Sequence, residues 1–412
     1  MNEFSPVLPV KLLNQIGPFF GKIAGSQSLS SQQLMQQAEK VTGLQDWGED
    51  KSFLKPLDIL IEDANSLTDI SFTGKLLLKK DILNSLTNRL QLQRLWNKYP
   101  QILKRRIEKP LFIMSLPRTG TTFLLNLLSQ NPDTRVPLQW EMLNPIPIEG
   151  YNGSREKDPR IVLAEKYARQ FYRFMPRVAK IHYMNPYGAG ECRFLLQNSF
   201  VCKYYFTLLP LFTYNNWLDN CDARFAYKEY LKQLQLLDFT HTNKHWLLKA
   251  PTHTPFIREV LEVLPDARLI QIHREPVEFV GSAISGVVTV RNCVLQNADA
   301  NVIAQEFLLE LSRRMEQYLE ARKAVGWHRF CDISYNQLVS KPIETVQKIY
   351  AFFGLNFSSA AKNKMSAWLE ENPQHKLGVH RYKLQQFGLN EKTVNSHFGE
   401  YLKEFANYLK KV

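Results

Sequence analysis

Short apolar runs alternate with longer stretches of helical period over most of this chain. Four runs read as strands: Leu111–Ser115, Trp246–Lys249, Ala267–Ile272 and Phe330–Ser334. Each is brief, largely apolar and bounded by Pro, Gly or charge, as expected of strands covered on both faces. Between and around them, apolar residues recur at three and four positions. That spacing predicts helices over Thr122–Gln130, Pro255–Leu264, Val277–Val288 and Asn301–Val325. Strands alternating with helices predict an α/β fold, a central parallel sheet flanked by helices in three layers. Ligands of such sheets bind beyond the carboxyl ends of the strands. The segments 116–122, after Lys249 and after Ile272 all open at that edge.

The flanks have another texture. Residues 1–108 read as a helical N-terminal region, polar and Gln-rich over Gln27–Lys40. Apolar residues lie at helical spacing over Phe53–Asn65 and Leu76–Tyr99, for example Leu78, Ile82, Leu86 and Leu90. The α/β domain is expected over 109–412, with a helical insert at about 158–240. That insert is rich in aromatics such as Tyr172, Tyr204 and Tyr214, which read as core before they read as contacts. The tail from Ser358 is helical again, broken at Pro373 and Gly378.

The turn after the first strand carries the most specific chemistry. Leu116-Pro117-Arg118-Thr119-Gly120-Thr121-Thr122 joins an apolar run to Phe123-Leu124-Leu125. A loop of this kind gathers backbone N–H groups, hydroxyls and a helix N-terminus, which suits a phosphate. Its cation, Arg118, precedes the glycine, whereas nucleotide hydrolases place Lys after a second glycine. The loop resembles the 5′-phosphosulfate loop of sulfotransferases that use 3′-phosphoadenosine 5′-phosphosulfate (PAPS). A second strand ends in His273-Arg274-Glu275-Pro276, with Ser282 eight residues after Arg274. Paired guanidinium hydrogen bonds and a hydroxyl could meet on one phosphate. This resembles the 3′-phosphate site of the same enzymes.

Other segments are similar to the large bacterial-type sulfotransferase family. They are Trp246-Leu247-Leu248-Lys249-Ala250-Pro251-Thr252-His253 with Pro265-Asp266-Ala267-Arg268, Arg135-Val136-Pro137-Leu138-Gln139-Trp140-Glu141-Met142, Gly190-Glu191-Cys192, Tyr335-Asn336-Gln337-Leu338 and His380-Arg381-Tyr382. The resemblance runs from about Pro110 to Tyr401. It implies a P-loop-like fold, PAPS as co-substrate and no metal. It also implies donor contacts from Arg118, Thr119, Gly120, Thr121, Thr122, Arg274, Ser282 and Arg381. Cytosolic animal enzymes usually carry Lys at the position of Arg118, and their C-terminal glycine-rich loop over the nucleotide has no counterpart here. His380-Arg381-Tyr382 is the segment that could take its place.

Sulfuryl transfer needs positive charge on the leaving phosphate, a base for the acceptor proton and alignment of the two reactants. Arg118 and Lys249 are the candidate cations. His253, 21 residues before Arg274, and Glu141, 23 residues after Arg118, are the candidate bases. A carboxylate in that role needs its pKa raised by burial. His273 is either a site residue or a packed neighbour of Arg274. Two other readings stay open: a Mg-ATP-dependent small-molecule kinase with an unusual phosphate loop, whose metal would need Asp133 or Glu141, and a non-catalytic anion-binding or scaffold protein.

Composition narrows the partners. The net charge is +13, from 52 Lys and Arg against 39 Asp and Glu. The charge suits an anionic ligand, but it is spread along the chain and does not mark a nucleic-acid binder. The acceptor is expected to be a small molecule, lipid, sugar or peptide. No stretch of about 20 residues is free of charges and breakers, so no membrane span is expected. The nearest, Ser199–Leu218, reads as a buried helix. Five scattered cysteines without a C-x-x-C, and no convincing signal segment, fit a cytoplasmic protein with free thiols.

Overall fold

The computed structural model describes residues 7–23, 28–151, 153–181, 184–239, 244–373 and 382–410. Its centre is a five-stranded sheet with the order β2-β3-β1-β4-β5, every pairing parallel. The strands are β1 Leu111–Ile113, β2 Thr134–Arg135, β3 His245–Lys249, β4 Arg268–His273 and β5 Phe330–Ser334. Ile113 sits level with Lys249 on one side and Ile270 on the other. The loop leaving β1 therefore lies between those leaving β3 and β4. The two-residue edge strand β2 has no apolar run, and the hydropathy pattern omits it.

Both faces of the sheet are covered. Phe112, Leu248 and Leu269 point into one core, and Leu111, Ile113, Leu247 and Ile270 into the other. This two-sided burial explains why the strands read as continuous apolar runs. Each fully buried aliphatic side chain stabilises the fold by roughly 1.5–3 kcal/mol. The larger core is shared with the N-terminal region through Leu57, Leu78 and Leu86. The second holds the helix Thr121–Leu128 through Leu124 and Leu128, and the helix Pro342–Phe352 through Val346 and Ile349.

Three helices differ from the sequence expectation. Ser199–Leu218 is not one buried helix. Around Pro210 it divides into Tyr204–Leu208 and Phe212–Asn220, because proline removes a helical hydrogen bond. The helix expected at Pro255 begins at Ile257, after a 3₁₀ segment Pro251–Phe256 that contains His253. The helix expected over Val277–Val288 runs from Pro276 to Val294. By length and composition it is the one described helix that could cross a membrane, but 72% of it is buried within the protein.

The long N-terminal helix Phe72–Lys98 starts at Ser71, whose hydroxyl accepts from Gly74 N at 3.1 Å. Gly74 lies directly on the carbonyl of Val294, where a Cβ would come within 2.4 Å of the oxygen. The helix crosses the end of Pro276–Val294 at that point, because only glycine permits so close an approach.

Candidate functional site

The β1 loop is a strained turn feeding a helix. Arg118 has φ 69° and Gly120 φ 90°, flanking Thr119, whose hydroxyl donates to Leu116 O at 2.9 Å. Left-handed Arg118 is uncommon for a residue with a Cβ, and such strain concentrates at functional positions. A Cβ at Gly120 would meet the Tyr335 ring at 2.9 Å, so the glycine meets both a steric and a conformational demand. Helix Thr121–Leu128 follows at once, and its first N–H groups have no intrahelical acceptors. They leave a partial positive charge at the mouth of the loop.

Two cation clusters flank that mouth. At the end of β3, Lys249 is 1% exposed; its ammonium donates to Thr122 Oγ1 at 3.2 Å and to Glu191 Oε1 at 2.5 Å. Cys192 N donates to Lys249 O at 2.9 Å, which fixes the Glu191 segment to the strand end. At the end of β4, Arg274 donates to Arg118 O at 2.7 Å and to Glu278 at 2.9 Å, and lies 4.1 Å over the Tyr335 ring. Arg118 Nε donates to Ser282 Oγ at 2.9 Å. Arg118, Arg274 and Ser282 thus converge, although they come from different loops. Burial, then the charge of Arg274, lowers the pKa of Arg118, yet a guanidinium stays charged at neutral pH.

The two candidate bases stand in other surroundings. Glu141 is gripped by Arg135, with both oxygens at 2.9 Å, and by Arg155 at 2.7 and 3.0 Å; it also accepts from Leu138 N at 2.8 Å. Burial pushes its pKa up, but the two arginines outweigh that and hold it below the usual carboxylate range. This is opposite to the raised value expected of a basic carboxylate. His253 is fully buried against Phe112, Tyr227 and Tyr230, with Tyr227 Oη 2.9 Å from Nδ1. Burial lowers its pKa to about 3. His273 is likewise buried, stacked on Phe405 at 3.9 Å and bonded to Asp332 at 2.8 Å, as a packed neighbour of Arg274. Arg381, with His380 and His182, lies outside the described residues.

Glu191 is the site residue that the sequence did not single out. It belongs to a resembling segment but bears no telling distance to either phosphate motif. The backbone bond from Cys192 to Lys249, together with the Lys249 ion pair, brings it to β3. Among the described residues, no group of three or more His, Cys, Asp or Glu could hold a metal ion.

A groove of about 510 Å³ is lined in part by the helix Gln139–Leu143 and by Phe194, on the helix that follows Glu191 and Cys192. Leu83, Met142, Leu143 and Phe194 give it apolar walls, and Asp81 and Tyr167 give it polar groups. Asp81 accepts from Tyr204 Oη at 3.1 Å; burial raises its pKa to about 6 against the opposing pull of Arg193. Gly190 backs onto Met142 so closely that a Cβ would come within 2.3 Å of its methyl. The next residue, Glu191, faces Lys249. The groove wall at Met142 and Phe194 is thus tied to the cation centre through the segment 190–194.

The sulfotransferase family model matches residues 110–359, from the first residue before β1 to the C-terminal helices. This chain belongs to the sulfotransferase family. Two solved sulfotransferases share the fold. STF9 from Mycobacterium avium superposes with a TM-score of 0.82 at 27% identity, covering 91% of this chain and 96% of that one. STF1 from Mycobacterium tuberculosis superposes with a TM-score of 0.80 at 26% identity, covering 90% and 99%. The omega-hydroxy-beta-dihydromenaquinone-9 sulfotransferase Stf3 of Mycobacterium bovis and Mycobacterium tuberculosis is 24% identical over 166 residues. That match spans 39% of this sulfotransferase-family chain and 40% of the length of those curated relatives.

Proposed function

We propose that this protein transfers a sulfuryl group from PAPS to the hydroxyl of an acceptor with an apolar body. The observation that carries the reading is the pair of cation-and-hydroxyl clusters on either side of the β1 loop. PAPS bears phosphate at both its 3′ and 5′ ends, and two such clusters at one sheet edge match that demand. The donor supplies an activated sulfuryl group. Lys249, Thr121, Thr122 and the helix N-terminus would hold its 5′ end, where negative charge develops on the leaving oxygen. Arg274 and Ser282 would hold the 3′-phosphate, and Arg118 links the two clusters.

Glu191 is the carboxylate best placed to take the acceptor proton, since its side chain is 18% exposed, faces Lys249 and follows Gly190, which packs on the groove residue Met142. Glu141 is committed to two arginines and His253 to an aromatic cage, so both support the site from behind. An apolar groove beside a base suits an alcohol on a lipid-like body, the kind of acceptor named for the mycobacterial relative. The free cysteines, four buried and one partly so, agree with a cytoplasmic setting.

Thermal stabilisation by 3′-phosphoadenosine 5′-phosphate, compared with Mg-ATP, tests the reading. Ligand at a hundredfold excess over Kd adds about 2.7 kcal/mol to stability. The bisphosphate is expected to raise Tm by several degrees and Mg-ATP not at all. A shift with Mg-ATP alone would favour a kinase and overturn the proposal.

A further inference from the structure

The N-terminal helix Leu8–Ile23 has an apolar face that the protein does not cover. Leu8, Leu12 and Ile16, spaced four apart on one side, are 68%, 48% and 50% exposed, while Val10 on the other side is fully buried. Single exposed apolar residues are ordinary on a protein surface, but an aligned stripe is not. The helix is held against Phe72–Lys98: Thr73 N donates to Asn14 Oδ1 at 2.9 Å, and Gly17 lies on the Phe72 ring.

Phe72–Lys98, the helix on which Leu8–Ile23 rests, carries a further exposed apolar residue on the side that leads to the groove. Leu76, 47% exposed, falls on the same helical face as Lys80 and Leu83, four and seven residues on, and both of these line the groove. Two more exposed apolar residues, Val41 at 71% and Leu163 at 51%, stand on the groove rim. The charged residues among them are mostly basic. Lys11, Lys75, Lys80, Lys166 and Arg169 are exposed. Nearby acids are engaged, Asp81 with Tyr204 and Glu165 with Tyr187. Apolar residues on one helix face with lysines beside them are the pattern of a helix lying in a bilayer interface. The basic rim selects an anionic surface.

We infer that this face docks on an anionic lipid bilayer and sets the groove mouth against it. The acceptor then enters the groove from the lipid phase without crossing water. This second step rests on the proposed transfer to an alcohol with an apolar body; the docking surface itself does not.

Co-sedimentation of the full chain with vesicles of phosphatidylcholine, alone or with phosphatidylglycerol, tests it. Binding is expected to the mixed vesicles and much less to phosphatidylcholine, and should weaken as salt rises. Leu12→Glu together with Ile16→Glu should reduce binding at least tenfold. Lys75→Gln together with Lys80→Gln should reduce it roughly twenty-fivefold, about fivefold for each lysine. All these positions are exposed, and an unchanged Tm shift with 3′-phosphoadenosine 5′-phosphate reports that the variants keep the parent fold. Equal binding by parent and the Leu12/Ile16 variant would overturn the inference, as would a parent that ignores both vesicles. So would a dimer that this variant dissolves into monomers, which would assign the stripe to a second copy. A parent that binds vesicles but shows no bisphosphate shift would sink the proposed function and leave the docking surface standing.

Discussion

Lys249 and Glu191 form a buried-to-exposed pair at the end of β3, and their neighbours decide what each can do. The lysine is fixed by Thr122 and the strand, while the carboxylate reaches the open side. Glu191→Gln keeps the size of the side chain but cannot accept a proton. It should lower kcat by roughly 10²–10⁴-fold, the usual worth of a general base, with donor affinity little changed. Glu141→Gln should act differently, because it leaves Arg135 and Arg155 facing a neutral amide. Breaking a buried pair costs about 3–5 kcal/mol, so denaturant midpoints should fall more than turnover does. Single-turnover rates and urea unfolding on the two variants distinguish the roles. A large kcat loss in Glu141→Gln with parental stability, beside normal turnover in Glu191→Gln, would reverse the assignment.

Among the elements, the C-terminal helices act on the Arg274 cluster from outside the sheet. In the helix Gly399–Glu404, Tyr401 is buried, and its hydroxyl accepts from Arg274 N and donates to Arg274 O, both at 3.2 Å. Tyr382 Oη donates to Glu278 O at 2.6 Å on the next helix. These bonds hold the backbone from which the Arg274 guanidinium extends. Tyr401→Phe removes one hydroxyl and keeps the ring packing on His273 and Phe405. Donor Kd is expected to rise severalfold in this variant and further in Arg274→Ala, with kcat at saturating donor near parental in both. Such a split marks binding shared by ground state and transition state. A fall in kcat with unchanged donor affinity would argue against a positioning role for Tyr401. The β1, β3, β4 and β5 strands were legible as apolar runs because both sheet faces are buried. The edge strand β2 and the break at Pro210 were not, since neither depends on a period that hydropathy records.

For the whole molecule, burial of ionisable groups sets the response to acid. His253 has its pKa lowered from 6.5 to about 3 by burial. Below pH 6.5 the unfolded chain takes up a proton that the folded chain refuses, so stability falls as pH drops from 6.5 toward 3. By pH 5 this amounts to roughly 2 kcal/mol. Glu310 adds to it lower down. Burial raises its pKa, but Arg314 and Lys203 outweigh that and bring it to about 2, so its stabilisation is lost as pH falls from 4.5 toward 2. Asp81, raised to about 6 by burial, opposes part of the loss below pH 6, because there the folded chain takes up its proton before the unfolded chain does. Urea unfolding at pH 7, 6 and 5 should therefore show the stability of the parent relative to His253→Asn falling steadily with pH. A parent–variant difference independent of pH from 7 to 5 would show that the imidazole is not enclosed in the aromatic cage.

The sequence by itself determined the α/β class, the strand ends that meet at one edge, and the two loop motifs whose Arg118, Arg274 and Ser282 the structure brings together. Those features are local: strand-loop-helix turns, an Arg-to-Ser spacing of eight, and apolar runs set by two-sided burial. Only the tertiary structure decided which polar groups face outward. His253 and Glu141 carry good side chains for a base, but an aromatic cage closes around one and two guanidiniums around the other. Glu191 carries no telling spacing, and contacts between the insert and β3, the Cys192–Lys249 backbone bond among them, bring it to Lys249. Burial and pairing arise between segments distant in sequence, so no local pattern records them.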